Sequence, residues 1–238
     1  MRFNSDQIQK IGKEISSKVD GKTLFDEFSR GRYSTDASVY QIKPLGVVLP
    51  KDTNDVLSLM EYSQKNSVPL LARGGGSSQC GQTVGESVVL DYSKHQNKIL
   101  ELNVEEKYVW VQPGVVLDHL NAYLKPHGLW FPVDVSTSSR ATIGGMSANN
   151  SCGSRSLYYG NMVHNVLAIE AILDDGSIFN FDQINKNYLA TKNNQDRLYK
   201  IIDKFIDVRQ QVGGEIDANW PTTQRRVGGY NIDLIDPE

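Results

Sequence analysis

Arg73-Gly74-Gly75-Gly76-Ser77-Ser78-Gln79-Cys80-Gly81-Gln82-Thr83 decides how the rest of the chain is read. It follows an apolar run, Val68 to Leu71, that reads as a strand. Three consecutive glycines at the carboxyl end of a strand lack Cβ atoms, so the backbone can take φ > 0 and approach a ligand closely. Successive N–H groups in such a turn form an anion-binding nest. Ligands on open α/β sheets sit at strand carboxyl ends. Phosphate oxygens are a fitting guest, with the Ser77 and Ser78 hydroxyls as extra donors. The familiar phosphate motifs are not met: Gly76 and Gly81 have P-loop spacing, but Gln82 stands where lysine is required, and Gly74 and Gly76 are followed by Gln79 rather than a third glycine. Read alone, the loop fits an anion site and a plain flexible hairpin loop equally well.

Upstream, Gly46 to Leu49 is a short apolar strand closed by Pro50. Asp52 or Thr53 caps a helix with Val56, Leu59, Met60 and Ser63 on one face, ended by Asn66 and Ser67. A helix crossing between two strands predicts a parallel pair. Residues 1–35 read as a helical lead-in, with Ile8, Ile11 and Ile15 at helical spacing and Arg30, Arg32 and Tyr33 in a solvated loop. Downstream, Ser87 to Asp91 is a strand, and Ile99 to Asn103 with Lys107 to Gln112 form a strand pair. Val116, Leu120, Tyr123 and Leu124 mark a helix stopped by Pro126 and Gly128. Residues 131–162 show no period, and so long an irregular stretch points to function. Val163 to Leu173 and Ser177 to Phe181 flank an Asp-Gly turn as a hairpin, and Leu198, Ile201, Ile202, Phe205 and Ile206 mark a last amphipathic helix. These elements divide the chain into a lead-in (1–38), a first α/β lobe carrying the glycine loop (39–95), a second α/β lobe (96–215) and a tail (216–238).

Hydrophobic residues make up 39% of the 238 and charged residues 22%, which excludes general disorder. The net charge of −3 gives no basic field for nucleic acid. Two cysteines are too few for a disulfide scaffold, the first residues are polar, and no apolar run is long enough to cross a bilayer. The expected location is the cytoplasm, and nothing in the sequence indicates a membrane.

A second glycine segment shifts the balance toward a ligand site. Pro132-Val133-Asp134, Ser138-Ser139 and Thr142-Ile143-Gly144-Gly145-Met146 combine Gly-Gly with small side chains, which lets backbone lie flat against a ring system. Arg73 to Ser78, Val111-Gln112-Pro113-Gly114-Val115, Phe131 to Asp134, Thr142 to Met146, Tyr159-Gly160 and the Asp-Gly hairpin follow one another in the order and at the spacing of a known family. Over roughly residues 40–185 the chain resembles the FAD-binding domain of the vanillyl-alcohol oxidase and p-cresol methylhydroxylase type, in the branch of D-2-hydroxy-acid dehydrogenases. The resemblance implies an α+β, two-lobed FAD-binding fold and oxidation of a D-2-hydroxy acid such as D-lactate or D-2-hydroxyglutarate. By position it implies that Arg73, Gly74, Gly75, Gly76, Ser77, Ser78, Gly81 and Gln82 hold the FAD pyrophosphate. Pro132, Ser138, Ser139, Thr142, Ile143, Gly144 and Gly145 then line the flavin and ribityl chain, Ala148, Asn149 and Gly153 continue that wall, and Ile169 passes the adenine or ribose end. Family members with flavin attached through this loop carry a histidine where Ser77 stands, so the resemblance implies non-covalent FAD. The reading from a different class is a non-redox module that binds a nucleotide or phosphate ligand.

The remaining chemistry is sparse. His95, His119, His127 and His164 show no metal spacing. Cys80 and Cys152 lie in the two loop segments, where a redox-sensitive role is weighed against buried, inert thiols and the latter is favoured. Gly145-x-Ser147-x-Asn149 misses the nucleophile elbow by one residue, and Asn149-Asn150-Ser151 is a chance sequon. Arg140 and Arg155 are candidates to face an anion. Neither a base for the substrate hydroxyl nor the electron acceptor is identified. In the family the base lies in a following substrate domain, whose entry Arg225 to Asn231 resembles.

Overall fold

A computed structural model of the chain describes residues 3–182, 195–223, 226 and 230–235. The N-terminal segment forms α1 (Ser5–Ser16), capped reciprocally: the Asn4 side chain accepts from the Gln7 N–H, and the Gln7 side chain accepts from the Asn4 N–H. Its Ile8, Ile11 and Ile15 are buried in the same cluster as Leu45, Val48, Val56, Leu59, Val88 and Leu90. The lead-in is thereby packed into the first core. It is also tied there by the buried Asp55, whose carboxylate accepts the N–H groups of Asp20 (2.7 Å), Gly21 (2.9 Å) and Lys51 (2.7 Å).

That core lies against a four-stranded sheet of β1 (Lys22–Leu24), β2 (Gly46–Leu49), β3 (Leu70–Arg73) and β4 (Val88–Asp91), in the order β1-β2-β4-β3. Every residue of β2 and β4 is buried, as befits continuous apolar runs in the middle of a sheet. Helix α3 (Thr53–Asn66) carries the chain from β2 to β3, capped by Asp52 at one end and by Ser67 in the left-handed region at the other. The two strands are parallel, as the pattern predicts, but they are not neighbours: β4 lies between them and pairs with both. The second strand is also displaced from Val68–Leu71 to Leu70–Arg73, which brings Arg73 into register with Asp91. Arg30 and Arg32 are not in a solvated loop. They belong to α2 (Glu27–Arg32), where Arg30 is 4% exposed and donates to the Pro44 carbonyl and the Glu27 carboxylate.

The second half starts with the antiparallel pair β5 (Ile99–Asn103) and β6 (Tyr108–Val111), followed by α4 (Leu117–Leu124) and a short 3-10 turn with Gly128 at positive φ. The stretch without a period contains three short helices, α5 (Ile143–Ala148), α6 (Ser156–Tyr159) and α7 (Met162–Asn165). Leu117, Val133, Ala141, Met146 and Met162 form its buried cluster. Because α7 takes residues 162–165, the expected long strand shrinks to β7 (Ile169–Ile172), paired with β8 (Ile178–Phe181). This hairpin folds back on the first lobe: Ile172 packs on the first core, and Gln64 donates to the Asp174 carbonyl. The last described α-helix is α8 (Arg197–Asn219), with Asp196 as its cap. Of the segment Arg225 to Asn231, only Arg226, Tyr230 and Asn231 fall within the described residues.

Candidate functional site

The glycine loop leaves β3 at its carboxyl end. Among the described residues, the backbone N–H groups of Gly74, Gly75, Gly76, Ser77, Ser78 and Gln79 donate to no protein atom, and these residues are exposed or half-buried. Six successive free amides in one accessible turn suit a polyanion, because each donor left without water needs an acceptor. Gly76 (φ 64°) and Gly81 (φ 78°) take the left-handed conformation that reverses the chain here. Ser78 Oγ bonds to Gln82 Oε1 across the loop.

Arg73 does not point into this turn. Its guanidinium donates to the carbonyls of Thr35 (2.9 Å), Thr83 (3.2 Å) and Tyr33 (3.4 Å) and lies 5.2 Å from the centre of the Tyr33 ring. Burial pulls its pKa down, while the nearby Asp91, Tyr33 and Asp36 act in the opposite sense. The Tyr33 hydroxyl donates to Asp91 at 2.6 Å, and burial together with that carboxylate pushes its pKa up to about 12.

The second glycine segment is held on a rail made by Gln112-Pro113-Gly114-Val115. Ile143 N–H donates to the Val115 carbonyl (2.8 Å), Gly144 N–H to the Pro113 carbonyl (2.9 Å) and Leu117 N–H to the Ala141 carbonyl (3.0 Å). Thr142 is the cap of α5, its hydroxyl accepting from Gly145 N–H. Gly153 sits so close to the Asp134 carbonyl that no Cβ fits there. The Asp134 carboxylate accepts from Ser154 Oγ (2.7 Å) and Arg155 N–H (2.9 Å). Partial burial works against ionising Asp134, yet these hydrogen bonds and Arg155 hold its pKa below the ordinary value. Arg155 in turn lies 4.9 Å over the Trp130 ring, with its side chain 59% exposed.

The two glycine segments meet. A Cβ on Gly74 would overlap Thr142 Oγ1, and one on Gly75 would overlap the Arg140 carbonyl. Gln82 Nε2 donates to Asn149 Oδ1 at 3.1 Å. This corrects the physical reason given for two of the glycines. The missing side chains of Gly74 and Gly75 make room for the second segment, and the ligand-facing property is the free amides. The structure therefore brings Gly74, Gly75 and Gln82 against residues 140–149. Ser77 and Ser78 lie on the same turn, and Ile143, Gly144, Gly145 and Ala148 lie on α5 beside it. Ser138 is tied to α4 through Asp118 N–H, Ser139 is exposed, and Pro132 precedes the fully buried Val133. Ile169 is 46% exposed on β7, and its strand neighbour is Phe181. Cys80 is exposed and Cys152 half-exposed, so neither is the buried thiol expected. Tyr33, Asp36, Tyr40 and Thr83, which support the loop, carry no pattern that sequence reading could have caught. A cavity of about 430 Å³ lies elsewhere, between α1 and α3, lined by Glu14, Lys18, Glu61, Tyr62 and Lys65 among others.

Residues 44–182 match the FAD-binding domain family. The chain belongs to that family. It is 42% identical over 209 residues to D-2-hydroxyglutarate dehydrogenase of Haemophilus influenzae, covering 84% of this chain and 20% of that protein. It is 36% identical over 219 residues to the Escherichia coli K12 D-2-hydroxyglutarate dehydrogenase (89% and 21%) and 37% identical over 176 residues to glycolate oxidase subunit GlcD of Bacillus subtilis (72% and 37%). The chain thus spans about a fifth of the length of the D-2-hydroxyglutarate dehydrogenases it matches. In structure it resembles an alkyldihydroxyacetonephosphate synthase (TM-score 0.64, 20% identity, 77% of this chain and 36% of that one). It also resembles p-cresol methylhydroxylase (TM-score 0.59, 18% identity, 74% and 36%). The fold is the α+β FAD-binding fold of that class, and its cofactor is FAD.

Proposed function

We propose that this chain is the FAD-holding part of a flavin-dependent oxidoreductase that converts a D-2-hydroxy acid, of the D-lactate or D-2-hydroxyglutarate class, to the 2-oxo acid. The observation that carries the reading is the run of free amides from Gly74 to Gln79, set against the small-residue segment 140–149. In this reading the amides take the diphosphate and the flavin ring lies along the Gly144-Gly145 stretch. Gly74, Gly75, Gly76, Ser77, Ser78, Gly81 and Gln82 would hold the pyrophosphate. Pro132, Ser138, Ser139, Thr142, Ile143, Gly144 and Gly145 would line the flavin, with Ala148, Asn149 and Gly153 beyond them and Ile169 toward the adenine end. Arg73 acts behind the loop. The protein's part is to bind and orient: the rail at Pro113 to Val115 fixes the second segment, and Asp134 fixes the loop 153–155. FAD supplies the hydride acceptor when bound. Ser77 offers no attachment nitrogen, so the cofactor is held non-covalently.

The base for the substrate hydroxyl and the cation for its carboxylate are assigned to the part of the enzyme beyond the matched segment. Among the described residues no group of three His, Cys, Asp or Glu side chains could hold a metal. The division into a lead-in (1–38), a first lobe (39–95), a second lobe (96–215) and a tail (216–238) is part of this proposal, with α8 crossing the last boundary and the substrate domain assigned beyond the tail. Both cysteines are unpaired, which supports a cytoplasmic location. No described helix is long and apolar enough to cross a membrane. The test is a turnover assay with added FAD, an artificial electron acceptor and either D-lactate or D-2-hydroxyglutarate. This chain alone is expected to show no steady-state turnover, and robust turnover would place the catalytic groups within it.

A further inference from the structure

We propose that the segment Tyr33 to Tyr40, which precedes the matched family region, shapes the pyrophosphate loop, with Arg73 as the positioning residue that transmits it. The proposal rests on the reading of that loop as a pyrophosphate site. Four contacts carry it. Arg73 is the first residue of the loop, and its guanidinium bridges the Tyr33 and Thr35 carbonyls of the lead-in to the Thr83 carbonyl at the loop's far end. Thr83 Oγ1 donates to Asp36 Oδ2 at 3.0 Å. A Cβ on Gly76 would meet the Arg73 guanidinium at 2.5 Å, so the left-handed turn is seated on it. The Tyr40 ring lies against Gly81, where a Cβ would come within 2.6 Å of Cδ2.

The amides from Gly74 to Gln79 have no acceptor among the described residues, and the turn's own ties are the Ser78 Oγ bonds to Gln82 Oε1 and from Cys80 N–H. The loop's two ends are instead fixed from behind. A planar fork that serves three carbonyls at once holds both ends at one separation, which a flexible ammonium does not reproduce. Had Arg73 acted on phosphate as a charge, lysine would serve nearly as well. The Tyr33 hydroxyl on Asp91, beside Arg73 in strand register, locks the other side of the clamp.

The experiment measures dissociation constants of the whole chain for FAD, ADP and riboflavin by fluorescence quenching and calorimetry, with circular dichroism as a fold check. Arg73→Lys and Arg73→Ala are expected to weaken FAD and ADP at least tenfold while changing riboflavin less than twofold. Guanidinium ion at low millimolar concentration should recover at least threefold of the ADP affinity of Arg73→Ala. Tyr40→Ala, at an exposed position, keeps the fold testable should the arginine variants aggregate, and is expected to weaken ADP about threefold and spare riboflavin. Wild-type affinity in Arg73→Lys, or equal losses for ADP and riboflavin, would overturn the proposal and leave the FAD reading standing. Failure of the unmodified chain to bind FAD and ADP would overturn both.

Discussion

Gly75→Ala tests the central packing feature with one methyl group. The new Cβ would overlap the Arg140 carbonyl oxygen and lie 2.9 Å from its carbonyl carbon, with Ala141 N at 3.5 Å. All three are backbone atoms, so no side chain can swing away, and the two glycine segments must separate. Overpacking of this kind costs about 1–3 kcal/mol, which lowers Tm by roughly 2–12 °C for a chain of this size. The effect on cofactor is larger. Moving the loop displaces its free amides, and losing two charge-assisted hydrogen bonds, at about 1.5–3 kcal/mol each, weakens FAD by roughly 10²–10⁴-fold. The control is Gly214→Ala in α8, where a Cβ meets nothing within 4 Å. It should stabilise by about 0.5–1 kcal/mol and leave FAD affinity alone. Thermal melts followed by circular dichroism and flavin fluorescence titrations read both effects. A Gly75→Ala protein with unchanged Tm and unchanged FAD affinity would show that the segments do not meet as described.

Stability should also depend on alkaline pH through Tyr33. Its folded pKa of about 12 lies above the ordinary phenol value, so its contribution is whole below about pH 10 and is lost as pH rises towards 12. Urea melts at pH 9, 10 and 11 should show a falling midpoint that Tyr33→Phe flattens in part, because Tyr92, also raised to about 12, keeps its own share; an identical slope in the variant would remove Tyr33 from the account. Acid precipitation of the FAD-loaded chain should leave the yellow colour in the supernatant, and colour in the pellet would refute non-covalent binding at Ser77.

Local patterns in the sequence carry some of these features and not others. The apolar runs at Gly46–Leu49 and Val88–Asp91 are readable because a central parallel strand is buried on both faces and needs continuous hydrophobicity. Their spatial order is not, since β4 inserting between β2 and β3 depends on pairing across sequence distance. Helices α5, α6 and α7 run for four to six residues, too short for an apolar stripe to repeat. The glycine clusters mark the site well, yet a glycine does not reveal which neighbour occupies the space of its missing side chain, and Gly74 and Gly75 proved to face protein. Arg73 shows the same limit for a cation. Its place beside the glycines suggests phosphate, and only the carbonyls of Tyr33, Thr35 and Thr83 reveal that its Nη1 and Nη2 donate to protein.

The most direct measurement is a titration of the purified, flavin-free chain with FAD, followed by quenching of flavin fluorescence. Saturable binding at one FAD per chain, competed by ADP, is expected, because the free amides from Gly74 to Gln79 recognise the diphosphate. Absence of saturable quenching, or binding that ADP does not compete, would contradict it.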